Sequence, residues 1–350
     1  QDSTFAGNTS AGGNTDGNGY GDFKYSVPTG FLALCSANLP VSDDIDPAGD
    51  NGTTENPTKQ FSSVLYTGNG GAQSVTGVGF KPDLVWIKAR NSAQHHAIFD
   101  SSRGALKRIG SSRTNAEDTD SSFLSSFDTD GFSWSTGGDN TQNGSYNYVS
   151  WCWGANGGTT ASNTEGDVTS TVQANQAAGF SIVKYTGNLT SSGNTTVGHG
   201  LSAAPEFIIR KGLNTERWAV SHIGCTSFNY MLELNGSAAQ ADKSSNGSMS
   251  APTTTVFSNN YTDGYAVNGT NYIAYCWHSV DGYSKFGKYS GNADADGIFV
   301  YTGFRPAMYF VKNITATNGW FTYDKLREGY NEENDTLSWQ DSTAEDNTYK

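Results

Sequence analysis

Three groups of residues in this 350-residue chain could do chemistry. His95 and His96 lie close to Asp100, Ser101 and Ser102, the residue types of a hydrolytic triad. Neighbours on an extended strand face opposite sides, and no Gly-x-Ser-x-Gly elbow accompanies them, so a triad is not expected here. Arg103 instead reads as the end of a strand, pairing with Asp100. The second group is carboxylates: Asp128 and Asp130 before Gly131, Asp263 before Gly264, Asp294 and Asp296 before Gly297, and Glu332-Glu333 between Asn331 and Asn334. Cleaving a glycoside needs two carboxyl groups across a cleft, one with a raised pKa, whereas Asp-Gly pairs are ordinary turn chemistry and the Glu pair reads as a solvated loop. The third group is aromatic. Trp134, Tyr146, Trp218, Tyr261, Tyr265, Trp320 and Tyr323 adjoin polar turn segments. An exposed ring there could stack on the apolar face of a sugar while Asn and Asp bind its hydroxyls; a buried one fills the gap between sheets. These seven are the candidate glycan contacts.

The elements that must position them repeat. Pro82-Asp83-Leu84-Val85-Trp86-Ile87-Lys88 returns as Pro205-Glu206-Phe207-Ile208-Ile209-Arg210-Lys211 and as Pro306-Ala307-Met308-Tyr309-Phe310-Val311-Lys312. Each copy opens on a proline, where a missing N–H is tolerated, and runs through apolar residues too few for a helix, which predicts a strand covered on both faces. Tyr66-Thr67-Gly68 and Tyr185-Thr186-Gly187 lie upstream of the first two copies. Tyr148-Val149-Ser150-Trp151-Cys152-Trp153 and Tyr272-Ile273-Ala274-Tyr275-Cys276-Trp277 close them, with Cys152 70 positions after Pro82 and Cys276 71 after Pro205. That spacing, with little identity between, marks a repeated fold. A third copy starts near Lys288-Tyr289-Ser290-Gly291 and carries Asp324 eighteen positions after Pro306, as Asp100 is after Pro82. Its closing strand falls outside the sequence, so an open sheet edge is expected, to be completed by further polypeptide or by another chain.

Composition agrees with an all-β architecture: 42 Gly, 18 Tyr, 18 Phe and 8 Trp against 16% charged residues. No run approaches the roughly 18 apolar residues of a membrane-spanning helix. A net charge of −13 works against nucleic acid, whose phosphates need a basic face. Gln1 in place of Met indicates a processed or partial polypeptide. Cys35, Cys152, Cys225 and Cys276 have no zinc spacing, and Cys152 and Cys276 sit in different repeats, so free buried thiols are expected. Neither cofactor nor metal is expected. The acidic stretch within residues 41–60 (Asp43, Asp44, Asp46, Asp50, Glu55) lacks the ligand order of an EF-hand and reads as a linker.

In order, residues 61–155 form β-sandwich repeat 1, 156–177 a linker or bridging strand around Val168-Thr169-Ser170-Thr171-Val172, 178–284 repeat 2, and 285–350 an incomplete repeat 3. Residues 235–255 read as an exposed excursion. Before the linker, residues 22–28 and 30–35 read as two strands joined by Pro28-Thr29-Gly30.

The combination of Tyr66-Thr67-Gly68-Asn69, Gly79-Phe80-Lys81-Pro82-Asp83-Leu84-Val85-Trp86-Ile87-Lys88 and His96-Ala97-Ile98-Phe99-Asp100-Ser101-Ser102-Arg103-Gly104 resembles large virion structural proteins of marine tailed phages. Those carry a SPRY-like (concanavalin-like) domain followed by such repeats, and residues 1–40 resemble the C-terminal part of that domain. The resemblance implies tandem β-sandwiches of jelly-roll or concanavalin-like type, here an extended array. It also implies a place on the virion surface among other virion proteins, as a tail fibre or receptor-binding protein without catalysis. Host cell-surface glycans or envelope proteins are then the partners, and a homo-oligomer, a trimer by analogy with phage fibres, is the expected assembly. The alternatives are a structural component such as a capsid decoration protein, which needs a large apolar docking face, and a glycan-cleaving spike.

Overall fold

The computed structural model describes residues 12–33, 56–246, 249–294, 296–327 and 334–347. Cys35, the acidic residues of the 41–60 linker and Glu332-Glu333 lie outside them. The protein is all-β, built from antiparallel sheets.

The first unit comprises β1 (Phe61–Thr67), β2 (Gln73–Thr76), β3 (Leu84–Ala89), β4 (Ala97–Asp100), β5 (Lys107–Arg108), β6 (Asp118–Thr119), β7 (Ser126–Asp128), β8 (Gly131–Trp134) and β9 (Asn147–Trp153). One sheet has the order β1-β9-β3-β4 and a second the order β2-β8-β7. The Pro82 strand is β3, buried at every residue, with the closing strand β9 beside it in the register Trp86↔Trp151.

The second unit comprises β10 (Ala161–Asn163), β11 (Ser170–Asn175), β12 (Phe180–Thr186), β13 (Asn194–Gly198), β14 (Phe207–Gly212), β15 (Trp218–His222), β16 (Tyr230–Glu233), β17 (Ala241–Asp242), β18 (Val256–Asn260) and β19 (Asn271–Trp277). Its main sheet runs β10-β11-β12-β19-β14-β15-β16-β17, and β13-β18 forms the second. The strand expected around 168–172 is thus β11, one position in from the edge of this sheet. The third unit comprises β20 (Met308–Lys312), β21 (Trp320–Asp324) and β22 (Leu337–Ser338), paired in that order.

Each residue of the Tyr-Thr-Gly motif has a structural duty. The tyrosine stacks on the tyrosine of the closing strand, Tyr66 on Tyr148 at 4.9 Å and Tyr185 on Tyr272 at 5.0 Å. The threonine hydroxyl donates to Asn147 or Asn271 on the same strand. The glycine sits where a Cβ would meet backbone, 2.3 Å from Asn143 O at Gly68 and 2.3 Å from Val267 O at Gly187.

Alternation along the closing strands sorts side chains between two cores. Tyr148 and Cys152 point into the sandwich of the first unit, with Val85, Phe99, Phe132 and Trp134. Tyr272, Ala274 and Cys276 do the same in the second, with Ile208 and Phe257. The other faces, Val149 and Trp151, Ile273, Tyr275 and Trp277, enter one core shared by all three units, together with Leu84, Trp86, Phe207, Trp218, Trp320 and Trp339. Each large side chain so buried contributes about 1.5–3 kcal/mol, so the shared core holds the units together.

This corrects the extended array: the units close into a ring. Glu117 N–H of the first donates to Leu213 O of the second, Gln240 N–H of the second to Ile314 O of the third, and Glu345 N–H of the third to Arg90 O of the first. Apolar strand faces left bare on both sides by short repeats are covered by wrapping the repeats around a common centre. A second correction concerns residues 22–33, which form no strand. A single antiparallel bridge joins Asn14 and Phe23, the Asp16 carboxylate accepts from the N–H groups of Asn18, Tyr20 and Ala33, and Tyr25, Phe31 and Leu32 are exposed. Nothing among the described residues covers an apolar face there, and two strands alone do not hold. Cys152, Cys225 and Cys276 are free and buried, as expected.

Candidate functional site

The residues with chemistry converge where the units meet. Trp218 begins β15 opposite Lys211, and its Nε1–H donates to Gly110 O of the first unit at 2.8 Å. Trp320 begins β21 opposite Lys312 and donates to Glu233 O of the second at 2.9 Å. His96 stands one step before β4, in the corresponding place. Its Nδ1 accepts from Trp86 Nε1 at 2.8 Å, so the proton is on Nε2, which donates to Ser338 O of the third unit at 2.9 Å. Burial, with Lys88 nearby, pushes the His96 pKa well below the usual histidine range. Three ring N–H groups therefore make one equivalent contact around the ring.

A second set is ionic. The Asp100 carboxylate accepts from Arg103 Nε at 2.5 Å and from the Tyr275 hydroxyl of the second unit at 2.7 Å. Asp324 accepts from Arg327 Nε at 2.7 Å and from Trp151 Nε1 of the first unit at 3.0 Å. Both arginines also bond a backbone carbonyl, Ile98 O or Thr322 O, and a glutamate, Glu117 or Glu345. The register places His222 of the second unit in the corresponding position, opposite Phe207 as Asp100 is opposite Leu84 and Asp324 opposite Met308. The expected Asp100–Arg103 pair is present. Ser101 meanwhile donates to Asp83 at 2.6 Å and Ser102 accepts from Gln173 at 2.7 Å, so histidine, acid and serine are each engaged with different partners.

The lysines that end the three copies complete the pattern. Lys88 donates to Ala89 O and Ser92 O of its own unit and to Ser342 O of the third. Lys211 donates to Gly212 O and Asn214 O and to Thr114 O of the first. Lys312 donates to Asn313 O and to Ser237 O of the second. Burial lowers the pKa of Lys88 and of Lys211 to about 8.

The seven aromatic candidates divide. Trp134 is 2% exposed and packs on Phe132 and Tyr66 inside the first sandwich. Trp218 and Trp320 are buried in the unit contacts already described. Tyr265 is 1% exposed, donates to Arg217 O and lies under the Arg210 guanidinium. These four present no ring to solvent: Trp134 and Tyr265 lie inside their own sandwiches, and Trp218 and Trp320 lie in the core shared between units. Tyr146, Tyr261 and Tyr323 are half-buried and lie in three different units. Tyr323 stacks on Tyr309 at 4.7 Å, and Tyr309 is 45% exposed. In the first two units the same strand positions lie under the second sheet. No second sheet covers them in the third among the described residues, and Ile298, Phe299, Val300 and Tyr301 of the same unit are also exposed.

The turn carboxylates behave as turn residues. Asp130 accepts from Gly77 N–H and Gly79 N–H, which hold its pKa below the usual range. Asp263 is buried and accepts from Asn260 Nδ2, and Asp294 accepts from Asp296 N–H. A polar groove of about 340 Å³ lies between the first two units, lined in part by Arg103, Lys107, Glu117 and Lys184. Its charged side chains are all engaged: Glu117 lies 3.2 Å from Arg103 and 3.5 Å from Lys107, and Lys184 donates to Ser102 O. Among the described residues no cluster of His, Cys, Asp and Glu has metal-binding geometry.

The contacts between units around the ring were the geometry that sequence reasoning missed. One signal for them was legible: Asp100-Ser101-Ser102-Arg103 and Asp324-Lys325-Leu326-Arg327 share the Asp-x-x-Arg spacing. Trp339, which packs on Trp86 at 4.4 Å and on Phe310 at 4.5 Å, had none.

No curated protein and no solved structure matches the chain. Residues 56–350, which hold all three units, match the model of the family described as Domain of unknown function (DUF7483), and the chain belongs to that family.

Proposed function

We propose that this protein is a non-catalytic structural module of a phage virion surface, a rigid block that docks to other virion proteins. The observation that carries the reading is the use made of its chemistry-bearing side chains. Asp100, Asp324, His96, Trp218 and Trp320 are all spent on contacts between units, which suits a part whose task is to keep its shape. The exposed Tyr309, with Tyr323 stacked on it, offers apolar surface of the kind through which a structural component docks. The setting comes from the resemblance to virion proteins of marine tailed phages.

Attachment to host glycans is the second reading, favoured by the Tyr309–Tyr323 stack, which offers a flat ring face at the surface. The two separate in one experiment. Antibody raised against the purified chain is applied to intact particles, and the chain is offered to host cells and to a glycan array. A structural module predicts labelled particles with neither cell binding nor glycan binding. Glycan binding abolished by Tyr309→Ser or Tyr323→Ser would overturn it in favour of attachment, and unlabelled particles would remove both.

A further inference from the structure

Strand β20 is the counterpart of β3 and β14, yet it carries a partner on one side only. In the first unit β3 lies between β9 and β4, and in the second β14 lies between β19 and β15; in the third β20 is followed by β21 and has no strand on its other edge among the described residues. The counterparts of its flanking amides are occupied elsewhere: Asp83 N–H donates to Trp153 O and Arg90 N–H to Asn147 O, positions that correspond to Ala307 and Ile314. Where β3 and β14 are buried throughout, β20 is half-buried with Tyr309 exposed.

We propose that this edge of β20 is a strand-acceptor site. Its occupant is a seven-residue extended segment of closing-strand chemistry, supplied by a partner polypeptide and docked antiparallel. The two filled edges define what it must look like. Both closing strands read Asn-Tyr-aliphatic-small-aromatic-Cys-Trp, and both place their last Trp opposite the first residue of the acceptor strand, Leu84 or Phe207. On β20 the same register sets the terminal Trp opposite Met308 and the central aromatic opposite Phe310, both facing the shared core. Tyr and Cys of the segment then fall on the outer face with Tyr309 and Val311. Main-chain pairing supplies affinity and alternate side chains supply choice, as in other strand additions.

The central position has a further requirement. Trp151 and Tyr275 there donate to Asp324 and Asp100 of a neighbouring unit, and the third unit faces His222 instead. His222 Nδ1 accepts from Gly224 N–H at 2.8 Å, so its Nε2 carries the proton. The incoming ring must therefore offer an acceptor, which a tyrosine hydroxyl has and an indole lacks.

The experiment uses the full chain and a synthetic peptide with the sequence of residues 271–277, kept reduced, with binding read by anisotropy and amide exchange read by mass spectrometry. Exchange over residues 307–314 is expected to slow by at least about tenfold on binding. N-methylation of the alternate peptide amides that face β20 should weaken binding by about tenfold or more, a loss near 1.4 kcal/mol, while methylation of the other set should not. Replacing the central Tyr by Phe or Trp should weaken binding several-fold in this chain and equally little in His222→Leu. Absence of binding, equal effects of the two methylation sets, or protection confined to other strands would overturn the proposal. So would a concentration-dependent dimer that protects residues 307–314 without peptide, since the occupant would then be a second copy. Each outcome is read without reference to particles or glycans, so it stands apart from the function proposed above.

Discussion

The Tyr275 hydroxyl lies 2.7 Å from the Asp100 carboxylate, 175 residues earlier in the chain, and both groups are buried. Arg103 Nε donates to the same carboxylate oxygen at 2.5 Å, so one buried ion pair in the first unit is capped by a ring of the second. Removing the hydroxyl as Tyr275→Phe is expected to cost about 1.5–3 kcal/mol, the range for a hydrogen bond to a charged group. Asp100→Ala, which leaves the buried Arg103 with Glu117 as its remaining ionic partner, is expected to cost about 3 kcal/mol. Urea denaturation of the two single variants and the double variant measures the coupling, and additive effects would show that the contact does not join the units.

Trp218→Phe and Trp320→Phe keep one aromatic ring in place and remove the indole N–H, leaving Gly110 O or Glu233 O without that donor. Each is expected to lower stability by about 1–3 kcal/mol. Truncation of Trp134, Trp218 and Trp320 together to Ala is expected to unfold the chain, at about 3–5 kcal/mol per ring. Near-ultraviolet circular dichroism checks this, and a folded triple variant would contradict the buried placement of these rings.

Stability should depend on pH through the histidines. Burial lowers His199 and His222 to about 4 and holds His96 well below the usual histidine range. A group whose folded pKa lies below its unfolded value near 6.5 binds its proton more readily in the unfolded chain. Its contribution is therefore complete above pH 6.5 and is lost as pH falls from there through about 4. Denaturation midpoints should be level between pH 7 and 7.5 and decline steadily from pH 6.5 to pH 4.5. A midpoint unchanged over that interval would mean that these rings are not held neutral by the fold.

The Tyr-Thr-Gly glycines should resist substitution. A Cβ at Gly68 or Gly187 would stand 2.3 Å from a backbone oxygen, so Gly68→Ala and Gly187→Ala are each expected to cost about 1–3 kcal/mol by overpacking. Gly269→Ala is a poor control because its φ is +76°; Gly291→Ala, with open space around its Cα, is expected to be neutral. Thermal melts of the three single variants check the order.

What the sequence determined by itself is local and repetitive. Proline-led apolar runs, the Tyr-Thr-Gly motif and the small-aromatic-Cys closing strands dictate β3, β14 and β20 and the neighbours β9 and β19, because strand period and proline geometry act over a few residues. The destination of each face was decided only by tertiary structure. Trp151 and Cys152 are adjacent, yet one joins the ring core and the other the first sandwich, and nothing in their own strand says that two different cores await them. Trp218 and Trp320 look like surface rings beside polar turns, and they are buried because carbonyls more than 80 residues away in the chain accept their N–H groups. Burial of an aromatic depends on what covers it, and here the cover is a neighbouring unit. Residues 22–33 make the opposite case: they alternate like strands, but an alternating pattern forms a strand only where a partner edge and a covering face exist.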